Sequence, residues 1–418
     1  MSNLPVKPSG GIFGHRMLVS FQSQAYRYFF IGSIGQIVAM VIQMMVTPLL
    51  IYRLTGSSAL LGINALVGAL PSIVIGLFGG AIADRLPKKF ILIACFGLTA
   101  LITLAIAIFL DTGHLSREVE GSWWILMVAN FFQGCVMGFM MPALMALVPE
   151  TVKREHLMNA IALNNLEMSV IGLISPSIAG IMIDRLGFES IFYTVTGAYL
   201  FAIIFFWLIP INKQATYQRG QILSNITNGL KYIRSNRTIF LLLIFIMAMV
   251  ILSMPFQNLL PLFTDGIFNV GATGLGLLMS LGGAGGLAGS LAIALLPNRK
   301  RGLLLLFSGL LSAAGIILFA FSPAWGFSLT IMVLVGLAGS LRGVLSNTLL
   351  QTYTDAPYMG RVMSLTHVQF GFMAVVTFLA GLLAERIMVQ WVVGGMGIIL
   401  VIITLVAWLG SKRIYRLN

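Results

Sequence analysis

The sequence predicts an all-α integral membrane protein in which twelve transmembrane helices form two pseudo-symmetric six-helix bundles. Of its 418 residues, 58% are hydrophobic and only 9% are charged, whereas a soluble domain carries about a quarter charged residues. Apolar runs of about twenty residues recur, the length that a helix needs to cross a bilayer core of about 30 Å. Short motifs also recur at corresponding places in the two halves. We therefore expect lipid to surround most of the chain.

The first half contains six apolar runs. They cover residues 28–52, 58–83, 90–110, 123–148, 158–183 and 189–210, and they predict a first six-helix bundle over residues 28–211. The preceding segment, 1–27, is polar and has no short apolar core followed by a cleavage site, so we expect a cytoplasmic segment and no cleaved signal peptide. Residues 12–28 could form a short amphipathic helix on the membrane surface.

The second half contains six further apolar runs. They cover residues 238–263, 271–296, 302–321, 326–351, 361–385 and 390–410. These runs predict a second six-helix bundle over residues 238–411, followed by a cytoplasmic tail, 412–418. The longest polar connection, 212–237, is interpreted as a cytoplasmic linker between the bundles.

The basic residues fall mainly on one side of the predicted helices. With the N-terminus inside, twenty of the 25 Lys and Arg residues lie on the inner side, four lie on the outer side, and Arg342 lies within a span. Cytoplasmic loops carry an excess of Lys and Arg, so we expect both termini in the cytoplasm. This topology accounts for the net charge of +13, and we do not interpret that charge as nucleic-acid binding.

Two pairs of short motifs repeat about two hundred residues apart. "LPKKFILI" after span two is similar to "LPNRKRGLLLL" after span eight, and "GIMIDRLG" at the end of span five is similar to "GLLAERIM" at the end of span eleven. These pairs indicate an internal duplication. Two related six-helix halves with a cavity between them near the midplane are typical of alternating-access transporters.

The loop between spans two and three carries a more specific motif. Gly80, Asp84, Arg85, Lys88 and Lys89 follow the order of a glycine, an Asp-Arg pair and a basic pair, which resembles a signature of the major facilitator superfamily. The stretch "TPLLIYRLTGSSALLGINALVGALPSIVIGLFGGAIADRLPKK" is similar to the drug- and siderophore-exporter branch, which includes enterobactin exporters and macrolide efflux proteins. The resemblance implies that superfamily's fold and a monomeric protein in a bacterial cytoplasmic (inner) membrane.

The resemblance also implies a role for this loop. In the superfamily, the motif Asp lies against the start of span eleven when the cytoplasmic side is closed, and here that helix would begin near Arg361. A carboxylate is stabilised by a helix N-terminus, so Asp84, with Arg361 as an ion-pair partner, would form a latch present in one conformation only. The alternative is a basic hairpin with an incidental Asp. Pro87 departs from the family's glycine, and Ala294 stands at the Asp position of the second copy, so we expect one such latch.

Span five contains the stretch "GLISPSIAG". Its Gly172, Ser175, Pro176 and Gly180 resemble the superfamily's antiporter motif. In this chain, Ser175 and Ala179 stand where that motif has glycines. Pro176 removes a helix hydrogen bond, and the small residues allow a neighbouring helix to approach closely. The resemblance favours an exporter, and ordinary close packing is the alternative.

Three ionisable residues inside the spans are candidates for proton coupling: Glu167, Arg342 and His367. A charged group is costly at this depth, so each is by default a functional hypothesis. We expect Glu167 to bind and release a proton as the protein changes conformation, with Arg342 as its partner or as a substrate contact. The alternative is a structural ion pair between the halves, or an Arg342 that donates hydrogen bonds to backbone carbonyls. His367 could carry protons because His titrates near neutral pH, although a lone His in such a helix is more often a neutral hydrogen-bonding residue.

Uncharged polar residues in the spans are candidates for lining a cavity between spans one, four, seven and ten. They are Gln36, Gln43, Asn130, Gln133, Asn165, Gln257 and Asn347. Helix–helix contacts are the alternative role for each of them. In the exporters that the chain resembles, an acidic residue often follows the glycine of span one, where this chain has Gly35 and Gln36. That departure shifts the expected proton site toward Glu167.

The sequence lacks the motifs of several other functional classes. It has no Walker loop, no HExxH helix and no GxSxG elbow, its four His are scattered, and Cys95 and Cys135 do not have the spacing of metal ligands. We therefore expect no enzymatic activity, no cofactor and no bound metal.

Together these observations predict a secondary active transporter, namely a proton-coupled exporter (an antiporter) of small amphipathic molecules such as drugs or siderophores. Its partners would be the small-molecule substrate, protons and the lipid bilayer. One alternative is a lipid or lysophospholipid translocator, or a uniporter, without proton coupling. Another is a non-transporting membrane sensor on a transporter scaffold.

Overall fold

The chain folds into long helices joined by short connections. The computed structural model describes residues 18–83, 86–210, 231–296, 300–355 and 358–410, together with Tyr415 and Leu417. Within these ranges the regular structure is helical, without a strand. The main helices are α1 Gln24–Thr55, α2 Ser58–Ala83, α3 Lys88–Asp111, α4 Trp124–Thr151, α5 Leu157–Trp207, α6 Arg237–Ser253, α7 Phe256–Thr264, α8 Gly271–Leu295, α9 Arg301–Ala320, α10 Trp325–Tyr353, α11 Met359–Ala384 and α12 Val389–Gly410.

These helices account for the twelve predicted spans. Ten helical segments in the described part of the chain have the length and hydropathy of a membrane span. One of them contains α5, whose 51 residues bend at Gly187, where φ is +83°, so α5 provides two spans over 157–186 and 188–207. A shorter apolar stretch, Val368–Ala384 in α11, provides the remaining span. The prediction of an all-α membrane protein is confirmed.

Two helix boundaries differ from those predicted from the apolar runs. Span seven is divided, since α6 ends at Ser253 and α7 begins at Phe256. Pro255 has no backbone N–H with which to continue the helical hydrogen bonds. Helix α1 begins at Gln24 and not at residue 28, because the Ser23 side chain accepts a hydrogen bond from the N–H of Tyr26 and caps the helix.

The two halves of the chain meet along two pairs of helices. Helix α5 packs against α8, and α2 packs against α11. Small residues set the distance in the first pair, because a Cβ added to Gly180 would collide with the backbone of Ala272, and one added to Gly276 would collide with the backbone of Pro176. The halves therefore touch backbone to backbone along this seam.

The two ends of the molecule differ in how the halves are packed. We call the end that carries Arg53, Asp184, Asp265 and Glu385 the outer end, because the charge distribution predicts that it faces outside, and the opposite end the inner end. One hydrophobic cluster runs through the first half and continues into the outer parts of α7, α9, α10 and α12. A separate cluster fills the inner part of the second half. In the described residues, the halves thus share a hydrophobic core at the outer end.

Candidate functional site

Glu167 lies inside the first half, at the contact between α5 and α1. It is ten residues from the start of α5, which corresponds to a depth of about 15 Å, and only 6% of its side chain surface is exposed. The hydroxyl of Ser33 on α1 lies 2.8 Å and 2.9 Å from its two carboxyl oxygens. In the part of the chain that the structure describes, Glu167 belongs to no ion pair.

The surroundings of Ser33 bear on the protonation of Glu167. The Ser33 hydroxyl also lies 2.8 Å from the carbonyl oxygen of Phe30, which can only accept a hydrogen bond. A hydroxyl has one proton to donate and can accept two. If Ser33 donates to Phe30, its contact with Glu167 becomes a hydrogen bond only when the carboxyl carries a proton. The protonated carboxyl therefore allows both contacts to be hydrogen bonds at once.

Polar contacts continue from Glu167 toward the inner end along the seam between α1 and α5. The hydroxyl of Tyr26 lies 3.1 Å from the carbonyl oxygen of Ala160 and 3.0 Å from Oδ1 of Asn164, and its single proton can be donated to one of these two acceptors at a time. Nearer the inner end, the Ser20 hydroxyl donates to Oδ1 of Asn159 at 2.6 Å. We call this set of residues, Ser20, Tyr26, Ser33, Asn159, Asn164 and Glu167, the polar seam.

Arg342 lies in α10 of the second half, eleven residues from the inner end of that helix, or about 16 Å. It is 9% exposed, and its Nε is buried without a hydrogen-bond partner. The hydroxyl of Ser346, one turn further along α10, is also buried without a partner. Arg342 is absent from the ion pairs among the described residues, so it is not paired with Glu167 in this conformation.

At the outer end, Asp184 links the two halves. Its carboxylate accepts hydrogen bonds from the backbone N–H groups of Ala272 at 3.2 Å and Thr273 at 2.7 Å, in the first turn of α8. Arg53 at the end of α1 lies 3.6 Å from Asp184 and 2.7 Å from Asp265. A carboxylate in this position satisfies N–H groups that have no partner within the helix and interacts favourably with the helix dipole.

Glu385 makes the corresponding contact between α11 and α2. Its carboxylate accepts hydrogen bonds from the hydroxyl of Ser57 and, at 3.1 Å, from the N–H of Ala59 in the first turn of α2. Asp184 and Glu385 are the acidic residues of the repeated motifs "GIMIDRLG" and "GLLAERIM". The sequence reasoning identified the repeat but missed both contacts. A usable signal was present, since a glycine four residues before an acid-Arg pair occurs at Gly180, at Gly381 and also at Gly80.

The predicted latch lies partly outside the described residues. Gly80 is in the last part of α2, Asp84 and Arg85 are outside the described ranges, and the side chains of Arg361 and His367 in α11 are likewise not described. The latch and the role of His367 therefore stay predictions. Lys88 pairs with Glu150 of α4 at 2.6 Å, and Lys89 donates to the carbonyls of Trp207 and Ile209. These two lysines connect helices of the first half.

The antiporter-like motif lies on the seam between the halves. Pro176 and Gly180 contact α8 through their backbones, and Gly172 contacts Gly283. Ser175 is buried, and two residues further along, the N–H and the hydroxyl of Ser177 both donate to the hydroxyl oxygen of Ser280 in α8. This placement fits both an exporter motif and close packing, so the exporter interpretation stays a prediction.

The cavity candidates separate into two groups. Gln36 is buried with a contact to the sulfur of Met40, Gln43 accepts from Tyr199 at 3.0 Å, and Asn130 donates to Asn64 of α2. Gln43 and Asn130 thus contact neighbouring helices of the first half, whereas the contact of Gln36 lies within α1. Gln133 is half-buried, and Asn165, Gln257 and Asn347 have exposed side chains. In the described ranges, no group of three or more His, Cys, Asp or Glu residues is placed to hold a metal.

Comparisons with known proteins extend this description. A family model described as Major Facilitator Superfamily matches residues 29–378. Macrolide efflux protein A of Streptococcus pyogenes is 25% identical over 364 residues, which cover 84% of this chain and 88% of that protein. Enterobactin exporter EntS of Shigella boydii is 24% identical over 346 residues, which cover 82% of this chain and 81% of the exporter.

Solved structures agree on the fold. A POT family transporter in complex with 5-aminolevulinic acid superposes with a TM-score of 0.74 at 14% identity, covering 97% of this chain and 98% of that one. The family match spans most of the chain, and the helices have the arrangement of a known transporter. The chain therefore belongs to the Major Facilitator Superfamily and is a multi-pass membrane transporter, not an enzyme.

Proposed function

We propose that the protein exports small amphipathic molecules across a bacterial cytoplasmic membrane, as a monomer, in exchange for protons. The observation that carries this proposal is the buried carboxyl of Glu167, held by Ser33 without a neighbouring cation among the described residues. Burial away from water favours the neutral, protonated form of a carboxyl. Glu167 would therefore hold a proton in this conformation and release it when water or a cation reaches it.

The polar seam supports release toward the inner end. From Glu167 it passes Asn164 and Tyr26 to Asn159 and Ser20, close to the start of α5. An antiporter that is open to the cytoplasm would release its proton there and bind substrate. After the change of conformation it would release substrate outside and bind a new proton.

Two sets of contacts would stabilise the two end states. Asp184 and Glu385 hold the halves together at the outer end in this structure, and such contacts would be expected of a state open toward the inside. The Asp84 latch against α11 would replace them when the inner end closes. Since each set exists in only one state, each would shift the equilibrium between states by the free energy of its own contacts.

The proposed direction of transport, export out of the cell, rests on the similarity of this chain to known exporters. The two relatives compared above are named as a macrolide efflux protein and an enterobactin exporter, and at about a quarter identity they support export without fixing the substrate. The antiporter-like residues Gly172, Ser175, Pro176 and Gly180 support the same direction.

The test is transport by the purified protein in lipid vesicles with a pH gradient and a pH-sensitive dye inside. We would compare the wild type with Glu167→Gln and, as a matched loss of one carboxylate, Glu118→Gln in the exposed connection between α3 and α4. A panel of lipophilic cations, macrolides, siderophores and amphipathic anions would be added in turn.

We expect substrate to collapse the pH gradient in vesicles that contain the wild type or Glu118→Gln. In vesicles that contain Glu167→Gln, we expect the pH gradient to persist. Collapse that persists in folded Glu167→Gln would overturn the role of Glu167 while keeping antiport. Transport of labelled substrate without gradient collapse would overturn proton coupling and favour a uniporter or a lipid translocator.

A further inference from the structure

Arg342 is a cation inside the membrane that has no anionic partner among the residues that the structure describes. It is nine-tenths buried, and its Nε has no hydrogen-bond acceptor among the described residues. A guanidinium at this depth is costly unless a negative group or water-filled space accompanies it. Some group that compensates the charge of Arg342 is therefore expected.

The chain itself offers few candidates for that group. Of its twelve Asp and Glu residues, Glu167 alone lies in the interior of a predicted span. Glu167 belongs to the other half of the molecule, where it contacts Ser33. The remaining acidic residues lie near the ends of the predicted spans or in the connections between them. Within the described ranges, no protein carboxylate pairs with Arg342 in this conformation.

The neighbourhood of Arg342 on α10 leaves room for a ligand. Ser346 is one turn away on the same face, and its buried hydroxyl has no partner. At Gly339 and Gly343, apart from the adjoining residues and local backbone of α10, no atom lies within 4 Å of the position that a Cβ would occupy. Asn347, which follows Ser346, has an exposed side chain. Buried donors without acceptors thus lie on the same side of α10 as two positions where an added Cβ would meet no neighbouring segment.

From this arrangement we infer that Arg342 and Ser346 bind the anionic group of the transported molecule. The guanidinium presents paired N–H groups that match a carboxylate or a phosphate, and the hydroxyl of Ser346 adds a third donor. The substrate class is therefore amphipathic molecules that carry a carboxylate or phosphate. This inference rests on the proposed function, because it treats the space between the halves as the transport pathway.

The test is equilibrium binding to the purified protein in a neutral maltoside detergent, measured by isothermal titration calorimetry. The probes share a decyl chain and differ in the head group: decanoate, decyl phosphate and decyltrimethylammonium. Lysophosphatidylglycerol is added as a phosphate that belongs to a lipid. Binding requires no proton gradient, so failure of proton coupling through Glu167 would leave this test unaffected.

The wild type is expected to bind an anionic probe about tenfold or more tighter than decyltrimethylammonium. Arg342→Met should remove that preference, and Arg386→Met, which removes one cation from the exposed outer end, should keep it. Tighter binding of decanoate assigns a carboxylate, tighter binding of decyl phosphate assigns a phosphate, and tightest binding of the lysolipid assigns that phosphate to a lipid. Equal binding of cation and anions, or an unchanged preference in Arg342→Met, overturns the inference.

A second variant keeps the test decisive if Arg342→Met fails to fold. Ser346→Asp would place a carboxylate one turn from Arg342, and Ser346→Asn would place a neutral group of the same shape there. The Asp variant is expected to abolish anion binding and to raise the melting temperature, whereas the Asn variant should keep most of the binding. Anion binding that survives unchanged in Ser346→Asp would contradict the inference.

Discussion

Asp184 and Glu385 occupy equivalent positions in the two halves of the chain, and each caps the first turn of a helix in the opposite half. Asp184 accepts from the N–H groups of Ala272 and Thr273, and Glu385 accepts from the N–H of Ala59. The same pairing of an acid with a helix N-terminus is predicted for Asp84 at the other end. The same type of contact, an acidic side chain at the N-terminus of a helix in the opposite half, would thus be used at both ends of the transporter.

Asp184→Asn should weaken the closed outer end. A carboxylate at a helix N-terminus contributes about 1 kcal/mol, so its loss should move the equilibrium about fivefold toward the outer-open state. The measurement is the distance between spin labels at His114→Cys and Ala324→Cys, in a background without Cys95 and Cys135.

Glu118→Gln serves as the control for this substitution, because it also removes one carboxylate but lies in an exposed connection. It should leave the label distances unchanged. Identical distance distributions in Asp184→Asn and the wild type would show that the contact does not stabilise the closed outer end.

The closed outer end should open as the external pH becomes strongly acidic. The hydrogen bonds from the Ser57 hydroxyl and then from the Ala59 N–H lower the pKa of Glu385 below its ordinary value of 4.5. Because the pKa of Glu385 is lowered in the closed state, Glu385 stabilises that state fully above about pH 4.5. This stabilisation is lost as the pH falls through the lowered pKa.

The measurement is the same label distance during an acid titration, in an Asp184→Asn background so that Glu385 is isolated. In that background, Glu385→Gln should show longer outer label distances before acid is added. Its distances should also change less than those of the parent protein as the pH falls below about 4.5. A titration that is the same with and without Glu385 would contradict the assignment.

Gly180→Ala should also disfavour the closed outer end. A Cβ at this position would collide with the carbonyl of Ala272, and such overpacking costs about 1–3 kcal/mol. The matched variant is Gly197→Ala in the same helix α5, where no atom lies within 4 Å of the added Cβ. It should be neutral or slightly stabilising, since alanine favours helix over glycine.

Melting temperature and label distance together test this pair. The expected result is a lower melting temperature or longer outer distances for Gly180→Ala only. Equal behaviour of the two variants would mean that the seam between α5 and α8 tolerates a wider separation.

Tyr26→Phe should slow proton movement without weakening substrate binding. It removes the hydroxyl that lies within hydrogen-bond distance of Ala160 and Asn164 in the polar seam, while the ring contacts with Phe21 and Phe29 can persist. We expect substrate-triggered gradient collapse to slow several-fold at an unchanged substrate Kd. An unchanged rate would place the proton route elsewhere.

Much of the fold could be predicted from the sequence, because lipid demands about twenty apolar residues for every crossing. The depth of Glu167 and Arg342 followed from counting along those runs. The division of span seven at Pro255 could not be predicted from those runs, because a proline within a membrane helix can produce either a bend or a break. The apolar pattern also gave no reason to expect the early start of α1, which depends on the cap by Ser23.

The partners of the candidate residues were harder to predict. Whether Glu167 meets Ser33 or Arg342 depends on how two helices rotate against each other, and hydropathy does not specify rotation. Asn130 illustrates the same limit, because a polar residue in a span can line a cavity or, as here, donate to a neighbouring helix. Asp184 and Glu385 could have been found, since the glycine four residues before an acid-Arg pair repeats in the printed sequence.

The backbone contacts between α5 and α8 have a consequence for the speed of transport. Gly180 and Gly276 present almost no side chain at the surface where the halves meet, so movement of one half over the other requires few rotamer changes. The activation barrier along this surface should be low, and the populations of the two states should be set by the charged groups at its ends. Larger side chains in the seam would then slow turnover in addition to disfavouring the closed outer end, whereas changes at Asp184 or Glu385 would mainly change which state predominates at rest.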